Sequence, residues 1–327
     1  MLVVITASGG GHTGYAVALA QHLVGRADML FIIPRGDAWT RSKVERMGRV
    51  VEVTKARRPN QPLATAVPGL VRAFFESLAA VPRSAHAFVS SGSNHSVPPA
   101  LAAWLKGVPV VNLESSVRFT SLSSSFRALK RFARLNVLQW EEQLELCPDG
   151  VVVGPLYEKP LYEPRDGGYV LVTGGTYGHR QLFDAVSRLG IENVVLQTGR
   201  VDPEPYRKRH PGWRVFRFDP DFQRWIAGAS IVVTHLGKTV IDSALSYGKP
   251  TVIVPNPEWR LTAGWRDAEI LAEKLNAVLV REISPEAIEE AIREARRRSP
   301  RRYRNGAEEL ARILLEELGS AAKPHTK

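Results

Sequence analysis

Twice in this chain a five-residue strand-like run breaks into a glycine-rich turn and then into a helical pattern. Leu2-Val3-Val4-Ile5-Thr6 leads into Ser8-Gly9-Gly10-Gly11-His12-Thr13 and on to a helical stretch over 14–25. Tyr169-Val170-Leu171-Val172-Thr173 leads into Gly174-Gly175-Thr176-Tyr177-Gly178, with a helix from about His179. Strand, turn and helix in that order belong to sheets built from parallel strands with helices on both faces. Their recurrence predicts two such domains, and 327 residues are enough for two hydrophobic cores.

The remaining pattern agrees with that architecture. In the first half, strands are expected at 29–33, 50–53, 87–90, 109–113 and 151–153, and helices at 38–47, 63–80 and 97–106. The prolines at 155, 160 and 164 mark 155–167 as a linker between domains 1–154 and 168–327. Strands follow at 194–197, 231–233 and 251–254, and the tail from 281 reads as charged helix. The fold class is therefore α/β, with two doubly wound parallel sheets.

Ligands of such sheets bind at the carboxyl ends of the strands. Free amides at a glycine turn and a helix N-terminus suit a phosphate or diphosphate. His12 adds a side chain that takes a proton near neutral pH. Two more strand ends in the first domain are polar, Ser90 to Pro98 and Asn112 to Arg118. Glu114 there has three possible roles: holding a sugar hydroxyl, orienting His12, or pairing with Arg118. In the second domain Gln197-Thr198-Gly199-Arg200, Thr234-His235-Leu236-Gly237-Lys238-Thr239 and Pro255-Asn256-Pro257 follow strands. A helix starting near Lys238 would aim its amides at a phosphate, with Lys238 or Thr239 beside it. Neither the dinucleotide G-x-G-x-x-G spacing nor a Walker loop is present, because Val232 stands where the latter has its first glycine.

The net charge of +11 calls for an anionic partner, and no nucleic-acid-binding signature accompanies it. Between Arg118 and Trp140 there are five basic residues, no acidic ones, and interleaved Phe119, Leu122, Phe126, Leu129 and Phe132. A basic amphipathic segment of this kind is expected to lie on an anionic membrane surface. Gly69–Ala80 is a second apolar candidate for the same surface. No apolar run reaches the ~18 residues of a membrane span. A strand at residue 2 leaves no room for a signal peptide, and the single cysteine, Cys147, forms no internal disulfide. The expected location is the cytoplasmic face of the membrane, held peripherally.

In order and spacing these motifs resemble the two subunits of the eukaryotic UDP-N-acetylglucosamine transferase of dolichol-linked oligosaccharide assembly, fused in one chain. The first half resembles the acceptor subunit through Ser8–Thr13, the serine-rich loop to Val97-Pro98, Glu114-Ser115 with Arg118, Leu122-Ser123 and Gln139-Trp140. The second resembles the donor subunit through Val172–Thr176, Gln197–Arg200, Thr234–Gly237 and Gly248-Lys249-Pro250 to Asn256. A more distant likeness runs to the bacterial peptidoglycan N-acetylglucosaminyltransferase. The resemblance covers most of residues 1–280 and implies a GT-B fold, two Rossmann-like domains facing a cleft. It implies transfer of GlcNAc from UDP-GlcNAc to a dolichyl- or polyprenyl-diphosphate-linked sugar, with inversion and with no metal or other cofactor.

On that footing the catalytic pair is His12 and Glu114, His12 being the general base. Acceptor contacts fall to Gly10, Gly11, Thr13, Ser91, Asn94 and Arg118. Donor contacts fall to Gly174, Gly175, Thr176, Gln197, Gly199, Arg200, His235, Gly237, Lys238, Thr239, Asp242 and Asn256. Two departures stand out. Relatives carry a ribose-holding glutamate where this chain has Ser243 beside Asp242, and Asn-His-Gln where it has Gly264-Trp265-Arg266-Asp267. Rival readings are another lipid glycosyltransferase of the diacylglycerol type, a UDP-sugar epimerase, and a non-catalytic UDP-sugar-binding protein.

Overall fold

The computed structural model describes residues 1–57, 61–258 and 263–318. The chain divides into two units, one of Met1–Glu158 with Arg304–Lys327 and one of Lys159–Tyr303.

In the first unit seven strands form one sheet: β1 Leu2–Thr6, β2 Asp28–Pro34, β3 Arg49–Val53, β4 Ala87–Ser90, β5 Val110–Leu113, β6 Leu135–Leu138 and β7 Val151–Val152. Their order is β3-β2-β1-β4-β5-β6-β7, with every neighbouring pair parallel. Between them run α1 Gly10–Leu23, α2 Ala38–Val44, α3 Leu63–Ala80, α4 Val97–Leu105 and α5 Ser124–Leu129. Strands covered on both faces need apolar residues throughout, and Val3, Val4, Ile5, Phe31, Ile32 and Phe88 are fully buried.

The second unit repeats the plan. Its strands are β8 Tyr169–Thr173, β9 Val194–Gln197, β10 Arg214–Phe216, β11 Ala229–Thr234, β12 Thr251–Ile253 and β13 Val278–Leu279. They pair in parallel in the order β10-β9-β8-β11-β12-β13. Its helices are α6 Arg180–Val186, α7 Glu204–Arg209, α8 Gln223–Gly228, α9 Lys238–Ile241, α10 Trp265–Leu275 and α11 Pro285–Ala295.

The last helix, α12 Gly306–Ile313, returns to the first unit, whereas the sequence reading gave everything after 168 to the second. Its Ala307, Leu310 and Ala311 share one core with Tyr15, Val17, Leu19 and Leu23 of α1. This explains why α1 is apolar nearly all round: it is covered on both sides. Gly306 makes the return possible, since a Cβ there would fall 2.0 Å from the Gly154 carbonyl oxygen.

Three short strands, β6, β10 and β13, went unread in the sequence. β6 also corrects the expected membrane segment at 118–140. That stretch is the short helix α5 followed by a strand, and Phe119, Phe126, Leu129 and Trp140 are buried in the protein's own core. Arg127, Arg131 and Arg134 are exposed.

Candidate functional site

Both strand orders reverse direction at one place, between β1 and β4 in the first unit and between β8 and β11 in the second. Chain leaving the two central strands there runs to opposite faces and opens a crevice at their carboxyl ends. The two glycine turns and their polar partner loops lie at these points.

In the first unit α1 begins at Gly10, earlier than the sequence pattern implied, so Gly10, Gly11 and His12 form its first turn. Amides of a first turn have no partner inside the helix and remain available to an anion. Gly9 and Gly10 both have positive φ, 45° and 51°, which makes glycine the fitting residue at this sharp entry. The Gly9 amide itself is taken by Asp37 Oδ2 at 3.1 Å and Thr40 Oγ1 at 3.0 Å. Thr13, an expected acceptor contact, is turned inward, with Oγ1 2.9 Å from Thr40 Oγ1.

His12 Nδ1 lies 2.9 Å from the carbonyl oxygen of Ser91. Desolvation holds its pKa below the usual histidine value; the Ser91 carbonyl opposes this, and the fields of Arg118 and Lys55 reinforce it. The ring is therefore neutral at pH 7, the state a general base needs. The Ser91 side chain is buried and donates to the Thr6 carbonyl at 2.6 Å. Asn94 is exposed at the start of a 3₁₀ turn, and Arg118 is partly buried.

Glu114 is committed to its own loop. It is 1% exposed, and its oxygens accept the amides of Ser115 at 2.6 Å and Ser123 at 2.7 Å. Burial raises its pKa, and those amides work against the rise. It braces the 114–118 loop from within, and the partner of His12 is Ser91. The loop has further braces: Gln139 Nε2 donates to the Glu114 carbonyl, Trp140 Nε1 to that of Ser116, and Gln143 Nε2 to those of Ser115 and Arg118. From α1, Tyr15 hydroxyl lies 2.7 Å from Ser116 Oγ. Gln139-Trp140, a motif with no evident chemistry in the sequence, thus shapes this loop. Sequence reasoning missed Asp37, Tyr15 and Gln143. Of these Asp37 had a signal, an aspartate three residues before Thr40 at a helix start.

In the second unit the turn after β8 and the one after β9 touch through main chain. A Cβ on Gly199 would fall 2.4 Å from the Gly175 carbonyl oxygen and 2.7 Å from that of Thr176. Gly175, Gly178 and Gly199 all have positive φ. The guanidinium of Arg200 sits 4.7 Å over the Tyr177 ring. His235 stands against both glycine turns, since Cβ atoms on Gly175 and Gly237 would fall 2.6 and 2.8 Å from its ring. Burial, reinforced by His179, lowers its pKa to about 4. Gln197 accepts from Thr173 Oγ1 at 2.8 Å, and Asn256 Nδ2 donates to the Gly178 carbonyl at 3.4 Å. Gly174 is buried, and Thr176 and Thr239 are partly exposed.

Lys238 is held by an acidic neighbour. Its side chain is 5% exposed and its ammonium pairs with Asp242 Oδ1. The chain there passes from α9 into a π-turn over Asp242–Ser246. Ser243 is fully buried, and the Asp242 side chain is 14% exposed. Gly264 and Asp267 serve α10 as its cap, Asp267 Oδ2 accepting the Gly264 amide at 2.6 Å. Among the described residues no three His, Cys, Asp or Glu side chains come together as a metal site.

Residues 169–318 match the family described as Glycosyltransferase family 28 C-terminal domain. A curated protein of Myxococcus xanthus, UDP-N-acetylglucosamine--N-acetylmuramyl-(pentapeptide) pyrophosphoryl-undecaprenol N-acetylglucosamine transferase, is 27% identical, covering 86% of this chain and 85% of its own. The crystal structure of Acinetobacter baumannii MurG aligns with a TM-score of 0.64 at 18% identity, over 96% of this chain and 99% of that one. UDP-GlcNAc 2-epimerase from Neisseria meningitidis, bound to UDP-GlcNAc, aligns with a TM-score of 0.67 at 12% identity, over 98% and 100%. The fold is GT-B, and the expected enzyme class, a glycosyltransferase, stands. The fused dolichyl pair is narrower than these likenesses, which run to a bacterial lipid-linked GlcNAc transferase.

Proposed function

We propose that the protein transfers GlcNAc from UDP-GlcNAc to a sugar carried on a polyprenyl diphosphate at a membrane surface. The observation that carries this reading is a neutral imidazole, His12, in the first turn of a helix whose leading amides are open to an anion. The name of the Myxococcus relative, a GlcNAc transferase to an undecaprenyl-diphosphate acceptor, supports it.

In the proposed step the acceptor hydroxyl gives its proton to His12 Nε2 as its oxygen attacks the anomeric carbon. The bond from that carbon to the UDP oxygen breaks, and the diphosphate leaves with the electron pair. The glycine turn at Gly174–Thr176, where the Gly175 amide is held by Thr173 Oγ1 at 3.0 Å, and the helix start at Gly237–Thr239 stabilise the leaving charge, with Arg200 close by. Asp242 takes the ribose in place of the relatives' glutamate.

The membrane contact is proposed for α3. Val67, Val71 and Phe75 repeat every four residues and so share one face, exposed by 50, 51 and 63%. Trp104 and Leu105 of α4 are exposed as well, and Trp104 packs edge-on to Phe132, next to exposed Arg131. An apolar stripe with cations nearby fits an anionic lipid surface. Among the described residues no helix is long and apolar enough to cross a membrane.

The test is incubation with radiolabelled UDP-sugars and vesicles carrying dolichyl-diphosphate-GlcNAc, undecaprenyl-diphosphate-muramyl-pentapeptide or diacylglycerol, followed by lipid extraction. Label from UDP-GlcNAc in a lipid-diphosphate product is expected, and the acceptor used separates the dolichyl reading from the bacterial one. Label only in diacylglycerol, or turnover with no lipid present, would overturn the proposal.

A further inference from the structure

Main chain, not a carboxylate, holds His12, and the stretch that does so is strained. A carbonyl oxygen only accepts, so the 2.9 Å contact with Ser91 places the proton of the neutral ring on Nδ1 and leaves the lone pair on Nε2. Gly92, next in the chain, has φ +89°, and a Cβ there would lie 2.9 Å from His12 Nδ1 and 3.0 Å from Cε1. Ser93 follows at φ +71°, a conformation that residues with a side chain seldom adopt.

Five hydroxyls keep this turn in place. Ser91 Oγ donates to the Thr6 carbonyl at 2.6 Å, and the Ser91 amide donates to Thr6 Oγ1 at 3.2 Å. Ser96 Oγ bonds the Gly92 carbonyl and lies 2.7 Å from Thr6 Oγ1. Ser93 Oγ lies 2.7 Å from Ser8 Oγ, at the entry to the glycine turn that carries His12. The end of β1 and the loop after β4 are thus clamped together across the switch point, with the imidazole against the clamp.

We infer that the left-handed turn Ser91-Gly92-Ser93 is a positioning element that fixes His12 in one tautomer, with Nε2 as the basic atom, and that Gly92 is indispensable to it. A side chain at 92 would press on the ring and force it to move, and the Ser91 carbonyl would then lose its Nδ1–H donor. The inference rests on the reading of His12 as general base.

Two readouts separate the two ideas. The first is ¹⁵N spectroscopy of histidine-labelled protein, with His12→Ala assigning the His12 signals. It needs no substrate. The wild type is expected to show protonated Nδ1 and bare Nε2, and Gly92→Ala a mixture of tautomers. The second is the pH profile of transfer from UDP-GlcNAc to dolichyl-diphosphate-GlcNAc in vesicles. There Gly92→Ala is expected to lower kcat by about 10–10²-fold, part of the span lost with a general base. The acceptor KM should change little, and the acid limb should move. Should Gly92→Ala fail to fold, Ser96→Ala, which removes the hydroxyl beneath the Gly92 carbonyl but leaves the ring its space, is expected to act in the same direction. A folded variant with the wild-type tautomer and an unmoved acid limb overturns the inference. Full activity in His12→Ala instead overturns the base reading, and the ¹⁵N result then still decides whether the turn fixes the ring.

Discussion

The amide of Gly9 donates to the Asp37 carboxylate at 3.1 Å, while the other oxygen of that carboxylate accepts the Thr40 amide at 3.0 Å. One side chain thus caps α2 and anchors the entry to the glycine turn before α1. Asp37→Ala removes both contacts. It is expected to cost about 1–2 kcal/mol, the upper range for a lost helix cap. Asp37→Asn, which keeps one acceptor oxygen and so one of the two amides, should cost less. Urea unfolding of the three proteins measures the difference, and equal midpoints would refute the shared role.

His12 sets the expected pH dependence. Its folded-state pKa is lowered, so the base form persists below the usual histidine range and is lost only as pH falls through the lower value. kcat/KM should hold from pH 7 into mild acid and then decline. His12→Ala should lower kcat by about 10²–10⁴-fold and abolish that acid limb. Initial-rate profiles across pH check both.

Three other histidines predict acid lability. Burial is the first cause in each case and lowers His95, His179 and His235 to about 4; the field of Lys55 adds to it at His95, and that of His179 at His235. Each takes up a proton near pH 6.5 when unfolded but near 4 when folded. Their contribution is therefore complete above pH 6.5 and is lost as pH falls towards 4. The slope is up to about 1.4 kcal/mol per pH unit for each histidine. Denaturant midpoints at pH 7, 6 and 5 should fall steadily, most steeply below 6.

The Lys238–Asp242 pair is nearly dry, 5 and 14% exposed. Removing one partner of a buried pair is expected to cost about 3–5 kcal/mol, because the other charge is left without compensation. Lys238→Ala and Asp242→Ala should each destabilise by more than half of what the double variant does. A double-mutant cycle on unfolding free energy gives the coupling directly. If Asp242 also meets the ribose, its variant alone should weaken UDP binding in calorimetry.

The α3 stripe is tested by Phe75→Asp. Loss of one buried phenylalanine contact, about 1.5–3 kcal/mol, should weaken sedimentation with anionic vesicles by tenfold or more. Turnover of a short-chain, water-soluble acceptor should not change. Undiminished vesicle binding would move the membrane contact elsewhere.

The two switch points were legible because strand, glycine turn and helix each leave a strong local pattern, and parallel topology then places the turns. The bracing contacts of Glu114 were not legible because a loop carboxylate is as well satisfied by two backbone amides as by a ligand, and spacing does not tell these apart. The 118–140 stretch misled for a related reason. Its phenylalanines and arginines alternate as on a membrane helix, yet Leu135–Leu138 is a strand, and Phe119, Phe126 and Trp140 are buried. The pairing of α12 with α1 was invisible because it joins opposite ends of the sequence, and neither helix alone signals its partner.

That last pairing makes the second unit an insertion: the polypeptide leaves the first unit after Glu158 and re-enters it at Arg304. A fragment cut at the prolines would be stripped of Ala307, Leu310 and Leu314 and would display bare hydrocarbon along its longest-buried helix. An excision that splices Glu158 to Arg304 through a short bridge is the design that would yield a self-standing first unit. Asn305 Nδ2 already donates to the Tyr157 carbonyl at 2.7 Å, so the two ends to be joined are neighbours.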